Sequence, residues 1–207
     1  MAHDEQLWLT PRLQKAAALC NQTPAASDTP LWLGVDLGTC DVVSMVVDGN
    51  AQPVAVCLDW ADVVRDGIVW DFFGGGTTGI AIVKQGKVTY SADEATGGHH
   101  ISLTLAGNRR IPLEEAEQYK RSNAQEIWPV VKPVYEKMAE IVARHIEGQG
   151  IADLWLAGGS CMQPGVEALF RQRFPELQVH LPQHSLFMTP LAIANSGRAK
   201  AEGLYAS

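Results

Sequence analysis

The stretch GIVWDFFGGGTTGIAIV, Gly67–Val83, runs an acid and two phenylalanines, Asp71, Phe72 and Phe73, into three glycines with no turn between them. Thr77, Thr78 and Gly79 follow, and then the apolar run Ile80–Val83. Glycine lets a backbone approach a ligand closely, yet ordering each one costs up to about 1 kcal/mol relative to Ala. Such a loop either closes its amides on a phosphate or makes a tight bend. Downstream, GIAIVKQGKVTYSAD (79–93) reads as strand, turn at Gln85-Gly86, strand. Upstream, LWLGVDLGT (31–39), VVSMVVDGN (42–50) and QPVAVCLDW (52–60) read as three strands. The first two are too close for a helical crossover, so they are expected to pair as an antiparallel hairpin around Gly38–Asp41. The chain thus holds two glycine/threonine hairpins, a faint internal repeat of about 40 residues.

The remaining composition narrows the class. At 207 residues, 46% hydrophobic and 19% charged, the chain reads as a soluble globular α/β protein. A net charge of −7, with no basic run longer than Asn108-Arg109-Arg110, argues against a nucleic-acid partner. No run of apolar residues is long enough to span a membrane. Acids near the start and broken apolar stretches argue against a secretory signal. Cys20, Cys40, Cys57 and Cys161 show no CxxC or metal-ligand spacing and read as reduced thiols of a cytoplasmic protein. The pair His99-His100 has no second ligand group at zinc-like spacing.

Helices are expected in several places. Residues 4–20 place Leu7, Leu9, Leu13, Ala16, Ala17 and Cys20 at loosely helical spacing, with Thr10 as N-cap and Pro11 in the first turn. NQTPAASDTP (21–30) then reads as a linker. The helix either packs on its own domain or docks on a partner. From Leu113 to Glu147 the pattern is helical: PLEEAEQYKRS opens with Pro and acids, and PVYEKMAEIVARHIEG puts Val134, Met138, Ile141, Val142 and Ile146 on one face before Gly148. IADLWLAGGSCMQPGVEALFRQRF (151–174) reads as strand, Gly-Gly-Ser loop and helix, LQVHLP as a last strand, and PLAIANSGRAKAEG as a closing helix.

Three loops carry the candidate chemistry. In GVDLGTC (34–40), Asp36 at a strand end suits a metal held through water, with amides at Gly38, Thr39 and Cys40 for phosphate oxygens. GGGTTG (74–79) is the second, and LAGGSCMQPGV (156–166), between strand and helix, is the third. Together they indicate a nucleotide clamp.

In this order, GVDLGTC, GGGTTGIAIV, LAGGSCMQPGV and PLAIANSG resemble the first phosphate, second phosphate, adenosine and second connecting motifs of actin-like ATPases, the superfamily of DnaK-type chaperones and bacterial actins. VRDGIVWDF (64–72), ATGGHH (95–100) and AEQYK (116–120) resemble landmarks of its ethanolamine-utilization branch. The resemblance covers nearly the whole chain. It implies an α/β, actin-like ATPase (ribonuclease H-like) fold, incomplete, with an N-terminal helical extension. The segments expected are an N-terminal helix and linker over 1–30, a truncated first subdomain over 31–73, and a second subdomain with a helical insertion over 74–207.

The resemblance also implies cofactors and roles. ATP and Mg²⁺ are expected, with Asp36 as the magnesium-side acid and Gly38, Thr39 and Cys40 at the first phosphate loop. Gly75, Gly76, Thr77 and Thr78 match the second phosphate loop, and Gly97 and Gly98 lie where phosphate or ribose is approached. Glu117 and Lys120 match the helix pair flanking the adenosine, and Gly158, Gly159, Ser160 and Met162 the adenosine loop. No catalytic residue is assigned.

One departure explains the opening stretch. In the family, DGIVWDF introduces a crossover helix, a strand, further helices and a first connecting motif with a Glu-Pro-Thr signature, before a second phosphate loop that carries its own acid. None of this lies between Phe72 and Gly74, and Glu-Pro-Thr occurs nowhere in the chain. Two motifs are joined, with on the order of 60–70 residues missing at about 30 per βαβ unit. Hydrolysis of ATP is therefore expected to be impaired, and an uncovered apolar patch is expected near the junction.

The function implied is that of a chaperone-like accessory of ethanolamine catabolism, assisting ethanolamine ammonia-lyase or the assembly of a microcompartment shell. It would be cytoplasmic or microcompartment-associated, with those proteins as partners. Residues 4–20 would then direct the chain to the shell. The alternatives are a nucleotide-binding scaffold and a small-molecule kinase of the same fold class. A kinase needs an acid to take the substrate proton, and no such residue stands out.

Overall fold

The computed structural model describes residues 11–22, 28–37, 41–60, 75–84 and 87–203. They fall into two compact units, one built from the chain up to Trp70 and from Pro182 onward, the other from Asp71–Leu181. The Gly74 junction, the turn at Gly38–Cys40 and the turn at Gln85-Gly86 lie outside the described residues.

The first unit is a three-stranded antiparallel sheet in the order β1 (Trp32–Leu37), β2 (Asp41–Val47), β3 (Pro53–Trp60). The expected hairpin is present, with Gly34 opposite Met45 and Asp36 opposite Val43. Alternation along the strands sends Val43, Met45, Val47 and Val56 to one face, where they are almost fully buried. That face is covered by α1 (residues 11–18) through Leu13 and Ala16, and by α6 (Met188–Ala201) through Leu191 and Ala194. The fit of α6 is close: a Cβ on Gly34 would lie 2.4 Å from the Pro190 carbonyl oxygen and 2.6 Å from the Ala194 nitrogen. On the other face, Leu33 is 63% and Val35 39% exposed on β1.

Two expectations change here. Of the two readings of residues 4–20, Leu13 and Ala16 favour packing on the helix's own unit, where they are buried, while residues 4–10 lie outside the described residues. Residues 182–203, expected with the second subdomain, pack in the first unit, because α6 supplies the cover that Gly34 and Met45 require.

The second unit is built around α4 (Trp128–Ile146). Val131, Tyr135, Met138, Ile141 and Val142 form its buried stripe at helical spacing. It begins five residues before Pro133, where the sequence reading placed its start; the buried Ile127 and Val131 hold the first turn despite the proline. On it pack the hairpin β4 (Thr78–Lys84) and β5 (Lys87–Glu94), and α2 (Gly98–Arg109). Next to α2 lies α3 (Leu113–Ser122). Helix α2 was missed: HHISLTLAGNR carries two His with Ser, Thr, Gly and Asn, all weak helix formers, and Ile101 and Leu105, both buried, supply what propensity does not. A strand–helix–strand unit completes this half. In it β6 (Asp153–Trp155) and β7 (Gln178–His180) pair in parallel through α5 (Val166–Arg173).

Candidate functional site

The candidate site grows from the junction of β4 and α2. The carbonyl of Gly75 accepts a hydrogen bond from the His99 amide at 2.6 Å, which ties the glycine loop to the first turn of α2. Gly97, at the N-cap, lets the two backbones touch; a Cβ there would lie 2.6 Å from Gly76 C and Thr77 N. The Thr78 hydroxyl donates to the Thr96 carbonyl at 2.6 Å, and that of Thr77 to Asp93 at 3.3 Å. Gly75, Gly76, Thr77, Thr78, Gly97 and Gly98 thus lie close together in the second unit.

One turn further along α2, a polar cluster joins this junction to α3. The Lys120 ammonium donates to Glu117 Oε2 at 2.6 Å and to Ser102 Oγ at 2.8 Å, and reaches the Gly98 carbonyl at 3.5 Å. The Ser102 hydroxyl donates to Glu117 Oε2, and Arg121 Nε donates to Oε1 at 2.9 Å. Burial pushes the Glu117 carboxyl up, but the charge of Lys120 and the hydrogen bonds of Lys120, Ser102 and Arg121 outweigh it and hold it below the usual carboxylate range. Lys120 and Glu117 keep side-chain exposures of 17% and 23%, so the cluster is reachable from solvent.

The third loop is held from the side of α4. Gly158 sits at φ +100°, where only glycine is comfortable, and leads into a 3₁₀ turn over Gly159–Met162. The buried Tyr135 hydroxyl donates to the Ser160 carbonyl at 2.9 Å. Gln163 Nε2 donates to the Ala124 carbonyl. Burial raises the Tyr135 phenol, and the negative charge of Glu117 adds to it; Tyr135 therefore stays a donor and lies within the field of Glu117. Burial likewise pushes the Cys161 thiol up to about 12, so its S–H stays protonated and donates to the Ala157 carbonyl at 3.2 Å. Met162, half exposed, stands at the outer end of the turn.

Ser102, Tyr135, Arg121 and Gln163 were missed by the sequence reading. Ser102 sits one helical turn after Gly98, a signal that was hidden because the helix itself was unread. Tyr135 occupies a core position of α4, three residues before Met138, and only the fold shows that its hydroxyl reaches Ser160. Asp36 belongs to the first unit, where it is buried near the end of β1. Gly38, Thr39 and Cys40 fall outside the described residues. Among the described residues, no group of three or more acid, His or Cys side chains is placed to hold a metal ion.

No model of a protein family matches the chain. The ethanolamine utilization protein EutJ of Salmonella typhimurium is 74% identical over 279 positions, which cover all of this chain and all of that protein. The chain belongs to the EutJ family. The crystal structure of EutJ from Carboxydothermus hydrogenoformans, 31% identical, superposes with a TM-score of 0.79 over 91% of this chain and 98% of that one. A more distant match is the activator of the 2-hydroxyisocaproyl-CoA dehydratase from Clostridium difficile with bound ADPNP. It is 10% identical, with a TM-score of 0.59 over 86% of this chain and 99% of that one, and it shows the fold alone. This EutJ-family chain therefore has the α/β, actin-like ATPase fold. It supplies 207 of the 279 aligned positions, so 72 positions of the Salmonella protein have no counterpart here. That number is on the order of the 60–70 residues expected to be missing. No described helix is long and apolar enough to cross a membrane.

Proposed function

We propose that this EutJ-family chain is a nucleotide-binding, chaperone-like accessory of ethanolamine utilization, cytoplasmic or associated with a microcompartment. Ethanolamine ammonia-lyase or shell proteins are its partners. The observation that carries the nucleotide reading is the continuous network from Gly75 through Gly97, Gly98, Ser102 and Lys120 to Glu117, with Tyr135 positioning Ser160 beside it. A carboxylate offers about four acceptor positions, and three bonds to Glu117 are accounted for. A sugar hydroxyl fits the fourth, and its oxygen can accept from Lys120 in place of the long 3.5 Å bond to the Gly98 carbonyl, which suits a ribose diol. The glycine loop, Gly75–Gly76 with Thr77 and Thr78, is assigned to phosphates, and Met162 with Gly158–Ser160 to the base.

Mg²⁺ would be the cation of the bound nucleotide. It needs only one or two carboxylates when phosphates and water complete its shell. With the first connecting motif absent, the chain binds ATP but turns it over poorly, and the nucleotide acts as a conformational ligand. Calorimetric titration with ATP and with a non-hydrolysable analogue, each with Mg²⁺, tests the reading. Both should bind the full chain, Glu117→Gln should weaken both, and absence of heat at millimolar nucleotide overturns it. Affinity capture of ethanolamine ammonia-lyase or shell proteins, with and without ATP, tests the partner.

A further inference from the structure

We propose that the outer face of α4 is where two copies of this chain meet, their α4 helices antiparallel about a twofold axis level with Val142. Four charged side chains run along that face, Lys137, Glu140, Arg144 and Glu147, and all are exposed. Spaced three, four and three residues apart, they keep to one stripe about 15 Å long, at about 1.5 Å of rise per residue. The stripe borders a cleft of about 790 Å³ that the end of α5 also lines, through Arg173 and Glu176.

The side chains of the stripe are uncommitted. Among the described residues, none of the four has an ion-pair or hydrogen-bond partner. Along the other helices opposite charges four apart close on each other: Glu117 on Arg121 at 2.9 Å, Glu167 on Arg171 at 2.7 Å, and Arg198 on Glu202 at 2.6 Å. Lys132 and Glu136 do so on α4 itself, at 3.4 Å. Glu140 and Arg144 have the same spacing with the acid first, the more favourable order on a helix, and yet stay apart.

The order of the signs names the occupant. Base, acid, base, acid, read from Lys137 to Glu147, becomes its own complement when the direction is reversed. In an antiparallel pair Lys137 faces Glu147 of the second copy, and Glu140 faces its Arg144. Both pairs are centred on position 142, so a single axis satisfies them, and the twofold repeats each contact. A parallel pair in register would set like charge against like. A polyanion or a polycation would be repelled by half of the stripe. Ile146, Ile151 and Leu177, half-buried in the cleft wall, offer apolar surface to the methylene stems of the incoming Lys and Arg.

The test is sedimentation velocity of the full chain, up to several hundred micromolar, at low and at high salt. A reversible dimer is expected, weaker at high salt because its contacts are exposed ion pairs. Glu140→Arg and Arg144→Glu should each weaken it by about tenfold or more, since the twofold turns one substitution into two like-charge contacts. Both positions are exposed, so each variant should keep the parent melting temperature. Mixed in equal amounts, the two variants are opposite in charge at both positions and should associate with each other as the parent does with itself. Charges acting only within one chain cannot give that rescue. A chain that is monomeric throughout, a dimer that neither variant weakens, or variants that stay apart when mixed overturns the inference.

Discussion

At the scale of single residues, the site rests on absences as much as on side chains. Gly97 has an extended backbone that any residue could adopt, so its glycine is required by space alone. Gly97→Ala drives a methyl into Gly76 and Thr77 and should cost about 1–3 kcal/mol, read as a lowered urea midpoint, and loosen nucleotide binding. Glu117 makes a second prediction through pH. Its folded pKa lies below the unfolded value near 4.5, so its contribution to stability is complete above that value and is lost as pH falls through the folded pKa. Unfolding midpoints measured from pH 6 down to 3 should fall less steeply for Glu117→Gln than for the parent. Cys161, its thiol held protonated, should resist alkylation at pH 8 in the folded chain while exposed Cys57 reacts, as peptide mapping would show. These residues also mark the limit of sequence reading. The glycine positions were legible because Gly-rich loops carry their reason in their composition. Ser102 and Tyr135 were not, because their partners Lys120 and Ser160 lie 18 and 25 positions away, a distance that only packing closes.

At the scale of elements, periodicity served well where burial was one-sided. The hairpins of both units, α3, α5 and the strands β6 and β7, though not their parallel pairing, followed from alternation, caps and turns. It failed at α2, where Ser, Thr, Gly and His weaken the local helical signal and the contacts of Ile101 and Leu105 decide the outcome. It also left the role of α1 open, since an amphipathic helix looks the same whether it covers its own sheet or another protein. Leu13, 2% exposed against Met45 and Val56, settles that it covers its own. Leu13→Ala should therefore destabilise the first unit by about 2–5 kcal/mol, seen in thermal melts, and deletion of α1 should act through stability rather than through location. The contact between β1 and α6 is equally specific. Gly34→Val should cost several kcal/mol, on the order of the penalty for overpacking a filled core, because the obstacle is the Pro190 carbonyl and not a movable side chain.

At the scale of the molecule, two separate cores, one around α4 and one between the three-stranded sheet and its two helices, mean that stability need not be shared evenly. The network proposed for the nucleotide lies within the second core's unit, so ATP at 100 times its dissociation constant should add about 2.7 kcal/mol to that unit's unfolding and little to the other's. Tryptophan reporters separate them, with Trp128 and Trp155 in one unit and Trp32 in the other. The joined motifs at Asp71–Gly74 were legible as a loss because two recognisable patterns abutted. The order of synthesis adds a last consequence. α6 covers Gly34 and Met45, yet it emerges from the ribosome only after every residue of the second unit has been made. The three-stranded sheet must therefore wait half-clothed through translation of more than a hundred residues, while the contiguous second unit is free to fold first. Nascent chains halted before Met188 should show that sheet open to protease and the later-made half already resistant.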